Sequence, residues 1–231
     1  INMNPPYCLM YFVFYIWILL YMTYNAIAGE YYMQHGHIIS SIWLSITKNI
    51  MFIGLACVSY VTRSKGLYIK SFDILISYNI WSTIKTVLKN NKLHSTTLIK
   101  NFVDLIMTVY MKTNIILSSP LYIMFIVMEL SNLALFKKAH FDITNCGSDI
   151  VSFKRRSSME FNTLMIYSIL RGPILSYIYF KLITNTNDLC KLYCLMVYLK
   201  GFYKIPSVYR RYVKNKTKII LLETIKPMSS N

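Results

Sequence analysis

The sequence predicts an all-α fold, specifically a polytopic membrane helical bundle with about seven transmembrane helices. More than half of the 231 residues are hydrophobic, at 55%, and the mean hydropathy is positive. Several apolar runs approach the roughly 20 residues that a helix needs to cross a hydrocarbon core of about 30 Å. The longest hydrophilic stretch, 137–160, is too short to form a separate soluble domain.

Seven candidate spans follow one another along the chain. The first, "CLMYFVFYIWILLYMTYNAIA", is too long and too aromatic for a cleaved signal peptide, so we expect a signal anchor. The fourth and fifth share one long segment that is broken near "KTN", and the seventh contains Lys191 and Lys200, so six spans remain an alternative. The predicted spans are 8–28, 38–61, 68–88, 93–111, 115–136, 161–183 and 188–206.

These spans divide the chain into three predicted parts. Residues 1–37 form an N-terminal transmembrane helix and loop, 38–206 form the transmembrane bundle, and 207–231 form a basic tail. The net charge is +16, and most basic residues outside the spans fall on the side that holds this tail. Because Lys and Arg are retained on the cytoplasmic side, the bias predicts a cytosolic C-terminus facing an anionic leaflet. We do not expect nucleic-acid binding, since no recognition module is visible.

Known catalytic and metal-binding signatures are missing from the sequence. The five cysteines form no CxxC pair, and Cys190 and Cys194 are spaced for packing within a helix. "HGH" at 35–37 has no third ligand nearby in the sequence, and no glycine-rich phosphate loop, GxSxG or HExxH motif occurs. We therefore predict no metal site and no cofactor.

The polar residues inside the spans are the remaining candidates for function. An ionisable group at the bilayer centre costs at least about 2.5–3.5 kcal/mol on insertion scales, so each requires a partner or a role. Glu129 lies deep in "FIVMELSNLALFKKAHF", where Ser131 and Asn132 can hydrogen-bond across helices. A structural ion pair and a functional site are equally compatible with Glu129. The ionisable residues in or at the predicted spans are Lys48, Asp73, His94, Lys100, Asp104, Glu129 and Arg171.

The order of the polar segments suggests a family. In sequence they read "HIISSIWLSI", "LYIKSFDILISY", "KLHSTTLI", "MELSNLALFKKAHF" and "IYSILRGPILSYIYF". Over about 38–206 this order resembles the TLC (TRAM–LAG–CLN) domain family of multispan endoplasmic-reticulum proteins, which includes the ceramide synthases. "MELSNLALF" is the most specific segment and "ILRGP" the second.

The resemblance implies a six-helix core with a lipid-accessible polar cavity, preceded here by an N-terminal helix. Asp73, Ser131, Asn132 and Arg171 would line that cavity. In the synthase branch, the resemblance implies transfer of an acyl group from acyl-CoA to a sphingoid base. An imidazole would then act as nucleophile or base and a carboxylate would orient it, which are roles that fall on His94 and Glu129.

Departures from the family pattern argue against retained catalysis. Where the family has a His-His pair, this chain has His94 followed by Ser95, and Trp43 stands where another histidine is expected. Glu129 is followed by Asn132 instead of a second acidic residue. A mechanism that needs both imidazoles could not operate here.

Three hypotheses remain open. The first is a TLC-like protein of the endoplasmic reticulum that acts non-catalytically in membrane lipid homeostasis or lipid handling. The second is a diverged ceramide-synthase-like N-acyltransferase, and the third is a multispan receptor or channel. Membrane lipids are the expected partners, with acyl-CoA or a sphingoid base if acyl transfer is retained, and a homo-oligomer is compatible with the sequence.

Overall fold

A computed structural model of the chain describes residues 5–31, 36–89, 95–113, 119–144, 149–183 and 188–225. Within these ranges the chain is helical with short turns and has no strand, which confirms the prediction of an all-α fold. The chain forms two compact units, Ile1–Tyr122 and Ile123–Asn231. Their boundary lies inside the predicted bundle of 38–206, and the division of the chain at 37 and 206 stays a prediction.

The helices follow the predicted spans closely in the first half of the chain and extend beyond them in the second. α4 ends at Thr113 and α5 begins at Ser119, so the predicted fourth and fifth spans belong to separate helices. The sixth predicted span is the second part of a longer helical segment that starts at Ile150. The helices are α1 Pro5–Tyr31, α2 Gly36–Thr62, α3 Lys65–Lys89, α4 Ser95–Thr113, α5 Ser119–Thr144, α6 Ile150–Ile169, α7 Leu175–Ile183, α8 Asp188–Tyr203 and α9 Ile205–Ile225, with a π-helical segment, Leu170–Ile174, between α6 and α7.

The first unit packs α1, α2 and α3 against one another, and α4 against α3. Trp17 of α1 is fully buried against Leu44 and Ile74, and its indole N–H donates a 2.9 Å hydrogen bond to Ser77 Oγ. Burying an indole without such a partner would leave its donor unsatisfied. A polar contact inside an apolar core therefore fixes α1 on α3.

The first turn of α5 joins this unit through an aromatic cluster. The ring of Tyr122 lies 4.4 Å from the ring centroid of Tyr68, 5.6 Å from that of Phe72 and 6.2 Å from that of Phe52. The Tyr122 hydroxyl is also 2.9 Å from Ser71 Oγ. Because both the ring and the hydroxyl have partners, Tyr122 is held in one orientation at the end of the unit.

The second unit contains a break in regular helix geometry that its sequence explains. Pro173 lies within the π-helical segment and has no N–H to donate to the carbonyl of Ile169. The ladder widens there, and the Leu175 N–H reaches back to the carbonyls of Leu170 and Gly172. Ser176 Oγ also donates to the Gly172 carbonyl at 2.7 Å. Single-turn π segments are rare and often occur at functional sites, and this one contains Arg171.

Among the residues that the structure describes, two helices are long and apolar enough to cross a membrane: Phe12–Glu30 within α1 and Ile38–Thr62 within α2. The apolar side chains of α1 point mostly outward, with only 11% of its apolar window buried. Phe12, Tyr15, Leu19 and Met22, at helical spacing, are each more than 60% exposed. This pattern differs from that of a buried core helix. A bundle with seven spans stays a prediction.

The start of α6 carries a cap with a predictable response to pH. Asp149 accepts hydrogen bonds from the Ser152 hydroxyl and, at 3.1 Å, from the Ser152 backbone N–H. These bonds favour the ionised carboxyl and lower its pKa. A lowered folded-state pKa means that the cap stabilises the folded chain above the unfolded pKa of about 3.9 and loses this effect as the pH falls through the folded value.

We therefore expect amide hydrogen exchange in the first turn of α6 to accelerate below about pH 4, beyond the intrinsic pH dependence of exchange. In Asp149→Asn the side-chain oxygen remains a cap acceptor but does not titrate, so the extra acceleration should disappear. If both proteins show the same acceleration, the Asp149 carboxyl is not the group responsible.

Candidate functional site

The candidate site lies on the facing surfaces of α5 and the π segment and is centred on Arg171. The side chain of Arg171 is 1% exposed, although it is one of the longest and most polar in the chain. Its Nε donates to Ser131 Oγ at 2.6 Å, and its Nη2 donates to Asn132 Oδ1 at 2.7 Å. A longer contact of 3.4 Å joins Nη2 to the Met128 carbonyl. Hydrogen bonds to one segment of α5 thus hold the guanidinium, which projects from the π segment.

The spacing of the α5 residues explains how they reach one cation. Met128, Ser131 and Asn132 stand at positions i, i+3 and i+4, which share one face of a helix. Ser131 accepts from Arg171 and donates its own proton to the Met128 carbonyl at 2.7 Å, so its hydroxyl is satisfied in both directions. Replacing Ser131 by an apolar residue would leave Nε without an acceptor.

Asn132 connects the cation to the deep carboxylate. Its Oδ1 accepts from Arg171, while its Nδ2 donates to Glu129 Oε2 at 3.4 Å. An amide suits this place because it accepts on one side and donates on the other. The Glu129 carboxylate also interacts electrostatically with the guanidinium. Glu129 is therefore connected to Arg171 both electrostatically and through the Asn132 amide.

Tyr167 forms the other wall of the site. It precedes Arg171 by one helical turn on α6, and the guanidinium carbon lies 4.1 Å from its ring centroid. Stacking of this kind is favourable for a desolvated cation. The ring is completely buried, and neither the Tyr167 hydroxyl nor Arg171 Nη1 has a hydrogen-bond partner among the described residues. Two buried polar groups that can donate thus remain available to an acceptor from outside the protein.

The predicted site residues fall into three groups. Ser131, Asn132, Glu129 and Arg171 come together in the second unit, as described above. Asp73 belongs to the first unit and is paired there with Lys112. His94 lies outside the described residues, so its expected role in chemistry stays a prediction.

Asp73 has a structural partner on the neighbouring helix. Its carboxylate, 4% exposed, lies 2.5 Å from Lys112 Nζ at the end of α4. This lysine belongs to the predicted helix break at "KTN". The sequence did not indicate that its ammonium group would pair with a carboxylate of α3. The pair joins α3 and α4 in the first unit, and Asp73 is satisfied there without a ligand.

A second buried ion pair was not predicted from the sequence. Lys138 Nζ on α5 lies 3.1 Å from Glu160 Oε1 on α6 and 2.5 Å from Asp142 Oδ2. The side chains of Lys138 and Glu160 are 8% and 3% exposed. Both residues fall in the stretch that reads as a hydrophilic loop, and the only sequence signal was the i, i+4 spacing of Lys138 and Asp142.

Among the described side chains, no group of three or more His, Cys, Asp or Glu is arranged to hold a metal ion. The Arg171 site offers a fixed cation and a buried hydroxyl that can recognise an acceptor group. Its unpartnered donors, Arg171 Nη1 and the Tyr167 hydroxyl, are buried away from water.

Comparison with models of known families, with curated proteins and with solved structures found no match to this chain. The described residues define an all-helical fold in which α1 has an exposed apolar face and a buried arginine lies at a π segment.

Proposed function

We propose that this chain is a multispan membrane protein that binds a membrane lipid at the Arg171 site and acts non-catalytically in lipid handling. The proposal depends on one observation: Arg171 Nη1 is buried and has no partner among the described residues, next to the equally buried Tyr167 hydroxyl. A buried donor without an acceptor costs free energy. A ligand that brings an acceptor oxygen would form the hydrogen bond that the protein alone does not make.

The contact between two separated sequence segments supports the same proposal. "MELSN" and "ILRGP", the two most specific segments of the resemblance to TLC proteins, meet through the hydrogen bonds of Arg171 to Ser131 and Asn132. In that resemblance these segments belong to the polar centre of a lipid-handling bundle. Membrane residence is supported by the length and apolar character of α1 and α2.

The ligand class follows from the donors. A guanidinium N–H and a phenol O–H in an apolar setting match a phosphate, carboxylate or carbonyl oxygen of a lipid headgroup. Glu129 offsets part of the positive charge of Arg171. The site is therefore suited to one phosphate, carboxylate or carbonyl of a headgroup and not to several anionic groups. An endoplasmic-reticulum location with a cytosolic C-terminus belongs to the proposal and is supported by the distribution of basic residues.

Lipid retention by a conservative variant tests this function. Tyr167→Phe removes one hydroxyl and keeps the buried ring, so the fold should persist. We expect wild-type protein purified in mild detergent to retain one lipid class above its proportion in the membrane, as measured by mass spectrometry. The Tyr167→Phe protein should retain several-fold less of this lipid, because it loses one hydrogen bond worth about 1 kcal/mol.

Tyr179→Phe is the matched control, since Tyr179 is also a buried tyrosine of the second unit, but it stacks on Tyr198 and follows Arg171 by eight residues. It should retain the lipid as the wild type does. A wild-type lipid profile that matches the bulk membrane, or an equal loss in both variants, would refute lipid binding at this site.

A further inference from the structure

The C-terminal helix α9 presents three distinct faces. The sequence predicted a basic tail here, and the structure adds that Ile205–Ile225 is a helix packed along α6. Its least exposed residues recur at positions 208, 212, 215 and 219, the spacing of one helical face. Within this stripe, the Tyr212 ring lies 5.7 Å from the ring of Phe161 on α6. This face holds α9 in place.

A second face of α9 is exposed and mainly apolar, with Lys216 as the one basic residue on it. Tyr209, Val213 and Ile220 are 55%, 39% and 56% exposed, and their spacing of four and seven residues places them on one side of the helix. Within the second unit these side chains are not covered by α6. An exposed apolar stripe next to a basic one marks a surface for binding.

The third face of α9 is strongly basic. Arg211, Lys214 and Lys218 are exposed and lie on the side opposite the apolar stripe, Arg210 lies at the edge of that side, and Leu221, 55% exposed, falls among them. The one acidic residue of α9, Glu223, pairs with Lys154 of α6 at 2.8 Å, so it does not offset this charge. The basic face is therefore complementary to a dense layer of negative charge.

We propose that α9 is an interfacial helix that binds the anionic surface of the membrane. Its basic face contacts phosphates and carboxylates of the headgroups, and its apolar stripe enters the boundary with the acyl chains, as amphipathic interfacial helices do. Nucleic acid would satisfy the basic face but not the apolar stripe, whereas a lipid surface satisfies both. The inference does not depend on the Arg171 site, and its outcome is separate from that of the proposed function.

Hydrogen exchange of the full chain in lipid nanodiscs tests this proposal. One set of discs contains only phosphatidylcholine, and the other contains equal parts of phosphatidylcholine and phosphatidylserine. We expect amides of α9 to exchange more slowly in the anionic discs and to lose this protection in high salt. Each basic residue near an anionic surface contributes roughly a fivefold effect, so Lys214→Gln with Lys218→Gln should reduce the added protection by about 25-fold.

Two further variants distinguish the contribution of the basic face from that of the apolar stripe and from a non-specific effect of removing positive charge. Tyr209→Ser with Ile220→Ser keeps the basic face and should reduce protection of α9 in both kinds of disc. Lys65→Gln with Lys70→Gln removes two exposed lysines of α3, and it should leave α9 protected. The salt titration of wild-type protein decides the question even where a variant fails to fold.

Equal protection of α9 in neutral and anionic discs would overturn the proposal, because packing on α6 alone would then account for its stability. Protection that requires added RNA, and that is insensitive to Tyr209→Ser with Ile220→Ser, would overturn it in favour of nucleic-acid binding.

Discussion

Replacing Arg171 by methionine should lower the free energy of unfolding by about 3–5 kcal/mol, the range for breaking one side of a buried ionic network. The substitution keeps an unbranched side chain but removes the donors that satisfy Ser131 and Asn132. It also removes the electrostatic interaction between the guanidinium and the Glu129 carboxylate. The measurement is unfolding of the purified chain in mixed detergent micelles, followed by circular dichroism.

Three comparisons show whether the network accounts for the loss. Arg171→Lys keeps the charge, but a single ammonium cannot reproduce the fork that contacts both Ser131 and Asn132, so an intermediate loss is expected. Adding Glu129→Gln to Arg171→Met should cost less than the two separate losses combined, because the two groups are coupled. Lys181→Met, at an exposed cation of α7, is the control and should have little effect. If Arg171→Met were as mild as that control, Arg171 would not organise the site.

Replacing Lys138 by methionine is expected to have the second largest effect, also about 3–5 kcal/mol. Glu160 is 3% exposed and would keep a buried carboxylate without a counter-charge, while Asp142 is 36% exposed and can be solvated. The loss should therefore come from Glu160. The same unfolding measurement applies, and adding Glu160→Gln should restore much of the stability.

The neighbouring residue supplies a matched control. Lys137→Met removes the same charge from an exposed position one residue earlier and should cost less than about 1 kcal/mol. Equal losses in the two variants would mean that the Lys138–Glu160 pair contributes nothing beyond surface charge.

Much of the helical architecture could be predicted from the sequence because the apolar runs are long and clearly bounded. α2 and α3 end within a few residues of the predicted spans, since a run of apolar side chains and its polar flanks are local properties. The second half was less predictable. α6 begins at Ile150 in a stretch rich in Lys, Arg and Ser, where hydropathy indicates a loop, yet the Asp149 cap and packing against α9 support a helix there.

The sequence alone identified Glu129, Ser131, Asn132 and Arg171 as residues with a structural or functional role. Polar groups in apolar helices cost free energy unless they have a partner. It did not determine their partners. Asp73 was grouped with them and is bound instead to Lys112, and Tyr167 was not singled out at all.

The tertiary structure decided these pairings for a physical reason. A hydrogen bond forms only within about 3 Å, whereas a rotation of one helix by one residue turns a side chain by about 100°. Hydrophobic period and span length fix neither this rotation nor the relative depth of two helices. The widened turn at Pro173 belongs to the same segment as Arg171, so local sequence determined that the helix changes there. Only the packing of α5 against that segment determined that the guanidinium would meet Ser131 and Asn132 and retain one unpaired buried donor.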